Sequence, residues 1–389
     1  MNFKNRRMMQ GAVLFGVLVL AACGGGGGGT GTGSAVTLAS PALVVSGRTL
    51  KDSAGKTVLL RGANVPVYQS GYVDDLSAVA LAVKSSGANT VRLVWWADVA
   101  NGWAGGAGAP ALLTLANLDR AITEYSSLGI LPIVELHDAT RYLAVGIGSA
   151  PAWNDPAIFK TRITNFWTRA DVVALVKKHE KHLVVNLANE WGAVAADNSD
   201  APTYVQNYVS AISDIRAAWA TASIGAVPLM IDSPNGGAYP EVFLATNTAQ
   251  PTKNNGQVIL AADPLANTLF SAHAYWPATA GYTSASITTL LQNIAASGLP
   301  IVLGEVGTEA NGTACGVNPV DWLTVLTTAN AQGIGTLVWS WYQDGMCNDM
   351  NLVVDGVTVP AFNGSGTFRD QVLHNATWGL QTSILIPLL

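Results

Sequence analysis

The sequence is short of charged residues and of cysteine, and both shortages narrow its possible functions. Only 12% of the 389 residues are charged, the formal net charge is −5, and there are three cysteines. No long basic run follows the first seven residues, so the positive surface that nucleic-acid binding requires is not expected. Apolar and aromatic side chains are plentiful instead: 49% of residues are hydrophobic, with 12 tryptophans and 10 tyrosines. They suffice for a large core and for a ligand cleft with apolar walls.

The first 23 residues have the pattern of an export signal. Lys4, Arg6 and Arg7 precede the apolar residues 11–22, a stretch too short for an ordinary membrane-spanning helix. The letters LAAC that end at Cys23 resemble a bacterial lipobox, in which the cysteine becomes the lipidated first residue of the mature protein. We therefore predict a lipoprotein signal peptide over residues 1–23. The alternative is an ordinary signal peptide with a cysteine there by chance.

A glycine-rich linker follows the signal, and a single domain follows the linker. The run of glycines at 24–29 cannot pack as a core, which predicts a flexible tether over residues 24–38 and one domain over residues 39–389. The lipid would hold this domain at a membrane without spanning it. Gly24 stands where an aspartate often accompanies retention at the inner membrane, which favours the outer membrane or the cell surface.

Eight apolar runs of strand length alternate with amphipathic segments along the domain. The runs cover residues 58–64, 90–96, 131–137, 183–189, 227–232, 268–273, 300–305 and 335–341. The helix-like segments cover residues 75–86, 117–128, 156–180, 203–222, 285–297 and 319–332. Before them, two extended stretches flank the polar turn 52–56, as in a β-hairpin. Eight β/α units predict an α/β fold, a (β/α)8 barrel with a short N-terminal β-hairpin.

Polar or aromatic residues stand at or near the C-terminal end of every run. They are Asn64, Arg92, His137, Asn189, Glu190, Asp232, His273, Glu305 and Trp339. One polar residue at a strand end is ordinary, but chance would scatter eight such sets over both ends. Since barrels of this kind carry their active sites at the C-terminal ends of the strands, these residues are the candidate site.

Two glutamates among them suit the cleavage of a glycosidic bond. That reaction needs one carboxyl group to protonate the departing oxygen and a second to stabilise or attack the anomeric carbon. Glu190 and Glu305 follow strands on opposite sides of the predicted barrel and would face one mouth. Each alone would be read as a strand-end member of an ion pair. No metal or other cofactor is expected, because the first run ends Arg61-Gly62-Ala63-Asn64 without the His-x-His of barrel metallohydrolases.

The motifs around these residues resemble glycoside hydrolase family 5, the large retaining cellulase and mannanase family. Asn189-Glu190 in NLANEWG resembles its acid/base signature, and Glu305 in IVLGEVG resembles its nucleophile signature. The other matching positions are Arg92, His137, His273, Tyr275 and Trp339. The resemblance covers nearly the whole chain from about residue 42, and it implies a catalytic (β/α)8 domain.

The resemblance also implies a role for each matched residue. Glu190 would be the acid/base residue with a raised pKa, and Glu305 the ionised nucleophile, supported by Arg92 and the hydroxyl of Tyr275. Asn189 would hydrogen-bond the 2-hydroxyl of the sugar. His137 and His273 would orient the sugar and the acid/base residue, and Trp339 would form a floor on which the sugar stacks.

Substrate choice is less firmly indicated. The stretches ELHDAT, LMIDSPNGGAYP and SAHAYW look most like bacterial endo-β-1,4-mannanases, which favours internal β-1,4-mannosidic bonds. Arg141-Tyr142 and the loop 342–349 depart from that branch, and both lie where a few contacts decide specificity. A cellulase-type endo-β-1,4-glucanase, another β-glycan and transglycosylation therefore stay open. A different class also stays open, a surface lipoprotein that binds glycan without cutting it, although such a protein would be expected to have lost one carboxylate.

The two remaining cysteines are expected to pair. With Cys23 taken by the lipid, Cys315 and Cys347 are left, and export favours their oxidation. Both fall in predicted loops at the same end of the barrel. The alternative is two unrelated thiols.

Overall fold

A computed structural model describes residues 41–67, 76–95, 114–137, 155–310, 314–342 and 347–387. The predicted signal peptide with Cys23, the linker and the departure at Arg141-Tyr142 lie outside the described residues. Within the described ranges, no helix has the length and hydrophobicity needed to span a bilayer.

A small antiparallel sheet opens the described chain. Its strands are β1 Leu43–Ser46, β2 Thr49–Asp52 and β3 Thr57–Val58, in the order β1-β2-β3. The expected hairpin is β2 and β3, and the carboxylate of Asp52 holds its turn by accepting from the backbone N–H groups of Ala54 and Lys56 at 3.0 and 2.8 Å. β1 is an additional strand. The expected first run 58–64 is corrected, because its start belongs to β3 and only its end enters the barrel.

Eight parallel strands close the barrel. They are β4 Arg61–Pro66, β5 Thr90–Trp95, β6 Leu131–Leu136, β7 Val184–Asn186, β8 Leu229–Asp232, β9 Thr268–His273, β10 Ile301–Glu305 and β11 Thr336–Val338. Each strand pairs with the next along the chain, and β11 pairs with β4, where Thr336 stands opposite Arg61. The predicted (β/α)8 fold is confirmed. Because all eight strands run the same way, their C-terminal ends meet at one end of the barrel.

Helices surround the strands. They are α1 Leu76–Ser85, α2 Leu115–Ser127, α3 Pro156–Phe159, α4 Asn165–Thr168, α5 Ala170–His179, α6 Ala201–Thr221, α7 Glu241–Leu244, α8 Asn255–Ala261, α9 Ser284–Ala296, α10 Trp322–Ala331 and α11 Phe368–His374. Five of the six expected helices match α1, α2, α6, α9 and α10 to within a few residues. Helices α7, α8 and α11 were not expected.

The expected helix 156–180 is corrected, because it is broken. A π-helical turn, Lys160–Thr164, separates α3 from α4, and Arg169 is extended between α4 and α5. Trp167 explains the break at Arg169. Its indole N–H donates to the carbonyl of Leu187 at 2.8 Å, and its own carbonyl accepts from the indole of Trp219 at 3.0 Å. These tertiary contacts hold α4 against the barrel at the cost of a continuous helix.

Two hydrophobic clusters divide the interior. The larger lies between the strands and the helices and includes Trp95, Trp219 and Trp276, all buried. The smaller fills the end of the barrel where the strands begin, and it joins Leu43 and Leu50 of the small sheet to Ile386 near the chain end. The small sheet and the last residues therefore close the end of the barrel opposite the C-terminal ends of the strands.

Candidate active site

Arg92 lies at the centre of the polar residues that the strand ends bring together. It is fully buried on β5. Its guanidinium donates to Asn186 at 2.9 Å, Asn64 at 3.0 Å, Glu305 at 2.8 Å, Asn189 at 2.7 Å and Asp232 at 3.0 Å. Burial alone would lower the pKa of Arg92, but the carboxylates of Glu135, Asp232 and Glu305 raise it above its usual value. One permanent positive charge thus fixes five residues that lie on or just after four strands, β4, β7, β8 and β10.

Asp232 at the end of β8 is a second centre of the network. It accepts from Arg92, from the Asn186 amide at 3.1 Å and from the backbone N–H of Glu190 at 3.1 Å. Burial raises the pKa of the Asp232 carboxyl, but Arg92 and His273 outweigh it and hold this pKa well below its usual range. Asp232 is therefore an ionised anchor for the turn that presents Glu190.

Glu190 projects from a strained turn directly after β7. Its φ of 52° is in the left-handed region, which costs a non-glycine residue about 1–2 kcal/mol. The bond to Asp232 holds the turn on one side. On the other, Gly192 has a φ of 110° and lies so near Tyr204 that a Cβ there would be 2.6 Å from its ring. The turn aims the Glu190 side chain into the barrel mouth, where it is 16% exposed and 2.8 Å from Nδ1 of His273.

Glu305 ends β10 with both carboxylate oxygens engaged. Oε1 accepts from Arg92, and Oε2 accepts from the hydroxyl of Tyr275 at 2.8 Å. One side-chain oxygen of Glu190, one of Glu305 and a ring nitrogen of His273 all lie within 4.8 Å of one another. These atoms could in principle ligate a cation, but Arg92 already supplies a positive charge 2.8 Å from Glu305.

His273 controls how the two glutamates share protons. Burial lowers the pKa of His273, but Glu305, Asp232 and Glu190 outweigh it and raise this pKa to about 10. Burial raises the pKa of Glu190, but the hydrogen bond and charge of His273 outweigh it, so the pKa of Glu190 is lowered. Burial dominates at Glu305 and, with the charge of Glu190, raises its pKa despite His273 and Arg92. In the free protein the order is thus the reverse of the expected one, because His273 contacts Glu190 more closely than Glu305, at 2.8 against 3.6 Å.

His137 and Trp339 lie together at the mouth. Their rings stack with centroids 5.9 Å apart and an interplanar angle of 21°. Nδ1 of His137 is 2.7 Å from a carboxylate oxygen of the buried Glu135, which orients the imidazole. The half-buried Trp339 follows β11, and its backbone N–H donates to the carbonyl of Val306 beside Glu305. Trp339 is thereby attached to the segment that carries Glu305.

All eight matched residues gather at this end of the barrel, together with Asn64 and Asp232. Two contributors were not among the candidates. The first is Asn186, which accepts a hydrogen bond from Arg92. Its signal in the sequence was a polar residue in the middle of an apolar run. Glu135 precedes His137 by two positions, the spacing that puts two side chains of a strand on one face.

A disulfide ties two segments beside the mouth. It joins Cys315, which follows β10, to Cys347, which follows β11, with Cα atoms 4.9 Å apart. The backbone of Ser340, next to Trp339, bonds Met350 and Leu352. The disulfide therefore restrains the segment that pairs with Ser340, next to Trp339.

Comparisons with known proteins agree with this architecture. A family model described as cellulase (glycosyl hydrolase family 5) matches residues 51–345. A mannan endo-1,4-beta-mannosidase of Salipaludibacillus agaradhaerens is 28% identical over 303 residues, which cover 76% of this chain and 80% of the relative. Another, of Cellvibrio japonicus, is 25% identical over 354 residues, which cover 90% of this chain and 69% of the relative.

Solved structures show the same fold. The catalytic domain of a mannanase from Streptomyces sp. SirexAA-E superimposes with a TM-score of 0.65 at 24% identity, covering 90% of this chain and 95% of that one. The mannohexaose complex of a Thermomonospora fusca β-mannanase gives a TM-score of 0.64 at 22% identity, covering 90% and 99%. Since the family model spans well over half of the sequence, the chain belongs to glycoside hydrolase family 5 and is a glycoside hydrolase.

Proposed function

We propose that the enzyme cuts internal β-1,4-mannosidic bonds by double displacement, with Glu305 as nucleophile and Glu190 as acid/base residue. The observation that carries the mechanism is the approach of their carboxylate oxygens to within 4.8 Å. Retaining glycosidases hold the two carboxyl groups about 5–5.5 Å apart, whereas inverting enzymes need about 6.5–9.5 Å to admit a water molecule. An approach this close supports the retaining arrangement rather than the inverting one.

In the first step a carboxylate oxygen of Glu305 attacks the anomeric carbon. The bond from that carbon to the glycosidic oxygen breaks, and the oxygen leaves with a proton from Glu190. Arg92 and Tyr275 hold the Glu305 carboxylate from both sides, so its attacking geometry is fixed before substrate arrives. His273 is protonated in the free protein and its Nδ1 is 2.8 Å from Glu190, so Glu190 receives from His273 the proton that it passes to the leaving oxygen.

In the second step Glu190 takes a proton from water, and the hydroxide attacks the anomeric carbon and releases Glu305. Formation of the glycosyl ester removes the negative charge of Glu305. Loss of a neighbouring negative charge favours the ionised form of Glu190, in the same direction as the lowering of its pKa by His273, and makes Glu190 the base that this step needs. One residue can thereby serve as acid and then as base.

The sugar in the reacting position would contact three further residues. Arg92 donates to the amide oxygen of Asn189. The side-chain NH2 group of Asn189 is therefore the donor proposed for the sugar 2-hydroxyl. Trp339 offers its face for stacking, and His137, oriented by Glu135, offers a hydrogen bond at the edge of the floor. Mannose and glucose differ in the orientation of the 2-hydroxyl, so these contacts bear on specificity.

Mannan is the proposed substrate because three curated relatives, 25–28% identical to this chain, bear the name mannan endo-1,4-beta-mannosidase. A glucanase is the second candidate, favoured by a relative named beta-mannanase/endoglucanase A that is 26% identical over 273 residues. Reducing-sugar release from linear mannan, galactomannan and carboxymethyl-cellulose decides between them. We expect mannans to be cut fastest, with oligosaccharides of several lengths appearing early. Faster release from carboxymethyl-cellulose would establish the glucanase instead.

Two variants and a stereochemical measurement accompany this experiment. Glu305→Ala should lower turnover by about a thousandfold or more, as loss of a covalent nucleophile does. Asp214→Ala removes a carboxylate on the outside of the barrel, 45% exposed, and should leave turnover unchanged. Proton NMR should show the β-anomer of the products first. Early α-anomer would contradict double displacement, and no release from any glycan would favour the glycan-binding lipoprotein.

We also propose that the enzyme is exported and held at a membrane by a lipid on Cys23. The support is the basic start, the short apolar stretch and the lipobox-like letters that end at that cysteine. The outer membrane or cell surface is the proposed location.

A further inference from the structure

The end of the barrel opposite the active site exposes four of the ten large hydrophobic side chains that are exposed among the described residues. We call it the basal face and define it by residues 41–60 and 180–183, the loop 262–267 and residues 380–387. Val44 is 42% exposed, Leu265 41%, Ile384 62% and Leu385 47%. These side chains share one surface: Asn267 bonds the backbone of β1 at Leu43 and Val45, and Ile384 and Leu385 line a cavity together with β3.

The same face is positively charged. Arg48, Lys56 and Lys181 are exposed, Lys51 is half-buried, and Lys181 adjoins the small sheet through a backbone bond to Ala42. The chain as a whole carries a net charge of −5, so a basic end is a local departure from its composition.

The acidic residues in the described segments of the basal face do not cancel this charge at the surface. They are Asp52, Glu180 and Asp263, and each is at most 8% exposed. Asp52 binds the backbone of its own turn, Glu180 binds Lys177 and the backbone of Gly225, and Asp263 forms an ion pair with Arg216 at 2.8 Å. Lysine and arginine therefore dominate the charge that this face presents.

We propose that the basal face docks on a bilayer that contains anionic phospholipid. Its lysines and arginine would bind lipid phosphates, at about 1 kcal/mol for each basic residue near the surface. Its apolar side chains would enter the boundary between headgroups and acyl chains. In this orientation the mouth of the barrel, with Glu190 and Glu305, points away from the lipid and toward a polysaccharide in solution.

The position of the predicted tether supports a bilayer as the surface on which the basal face docks. Residue 41, where the basal face begins, follows Cys23 by 18 residues. A flexible chain of that length has a root-mean-square span of about 25 Å. A lipid on Cys23 would thus keep this end of the barrel, rather than the mouth, close to the bilayer.

Vesicle binding by a chain that begins at residue 24, and so has no lipid, tests the proposal without depending on Cys23. That chain contains the whole compact unit 38–389 with its own core. It should co-sediment with vesicles of phosphatidylcholine and phosphatidylglycerol and not with phosphatidylcholine alone. Lys56→Glu with Lys181→Glu should weaken the partition coefficient at least about 25-fold, since about fivefold is expected for each basic residue lost. Ile384→Ser with Leu385→Ser should also weaken it.

The matched control is Arg120→Glu with Lys253→Glu. Both are exposed and lie outside the residues that define the basal face, Arg120 at the middle of α2 and Lys253 two residues before α8, and the change in net charge is the same. Circular dichroism and thermal unfolding verify that every variant is folded, so the outcome does not depend on the proposed mannanase activity. Three results would overturn the proposal: no binding to anionic vesicles, equal binding to neutral ones, or equal loss in the control.

Discussion

Arg92 is the residue on which the arrangement of the site most depends. It is the only described cation that contacts Glu305, Asp232, Asn189, Asn64 and Asn186 together. Burying a charge is expensive, and removing one partner from a buried ion pair costs about 3–5 kcal/mol because the other charge is left uncompensated. This cost is offset where the rigid, planar guanidinium orders Glu305, the proposed nucleophile, and Asn189, the proposed contact to the 2-hydroxyl.

The acid/base role of Glu190 predicts an effect that depends on the leaving group. Glu190→Gln keeps the size of the side chain but cannot donate a carboxylic proton, so turnover of mannan should fall by about 10²–10⁴-fold. Aryl β-mannosides with good leaving groups need little protonation, and their first step should be nearly unaffected. Steady-state kinetics on both substrates measures the contrast. Glu305→Gln is the control that should disable both, and equal losses from Glu190→Gln would contradict the assignment.

For single residues, the sequence predicted which side chains gather at the site, but not the order of the pKa values of Glu190 and Glu305. Strand-end position and motif together identified Glu190, Glu305 and Arg92. The order of the two glutamate pKa values could not be read from the same letters, because it depends on which carboxylate His273 approaches more closely, at 2.8 or 3.6 Å. That difference arises from the left-handed turn at Glu190 and from the packing of Gly237 on the His273 ring, where a Cβ would clash.

At the scale of elements, the barrel strands were predictable and the helix breaks were not. A continuous apolar run signals a buried parallel strand locally, and each of the eight runs overlaps one barrel strand, although the first run begins in β3. The break at Arg169 has no local signal. It follows from bonds between Trp167 and residues 20 and 52 positions away, Leu187 and Trp219. A continuous helix predicted from local periodicity is interrupted where a backbone carbonyl, here that of Trp167, bonds a distant side chain instead.

The disulfide gives a prediction about the elements it joins. It closes a loop across a sequence separation of 32 residues, between the segments after β10 and β11. Replacing Cys315 and Cys347 by serine should lower the free energy of unfolding by about 2–4 kcal/mol, since a cross-link of this span restricts the unfolded chain. It should also raise KM for mannan more than it lowers kcat, because the segment beneath Trp339 is loosened while Glu190 and Glu305 stay in place. Urea unfolding and steady-state kinetics measure both.

The control for this pair is wild type treated with dithiothreitol, which should unfold at the same lower urea concentration as the double variant. Mass spectrometry that found two free thiols in the exported protein would contradict the prediction, as would an unchanged unfolding midpoint.

The whole molecule has two ends of different chemistry. The C-terminal ends of the strands gather buried carboxylates around Arg92, whereas the opposite end combines exposed lysines with apolar side chains. The fold imposes the first arrangement, because every parallel strand delivers its last residues to the same mouth. Nothing in the catalytic chemistry requires exposed lysines and apolar side chains at the opposite end, and attachment to a membrane is the function proposed for them.

Attachment through Cys23 gives the prediction at this scale. Cys23→Ser removes the thiol that would carry the lipid, so the exported enzyme should move from the membrane pellet to the soluble fraction with its activity per molecule unchanged. The basal face alone should not retain it at high salt, because screening weakens lysine–lipid attraction whereas a diacyl anchor is unaffected. Fractionation followed by a high-salt wash measures this, with Gly29→Ser in the linker as a control that should stay in the pellet. A Cys23→Ser protein that still sediments after the wash would exclude the lipid as the anchor and leave the apolar stretch 11–22 to account for retention.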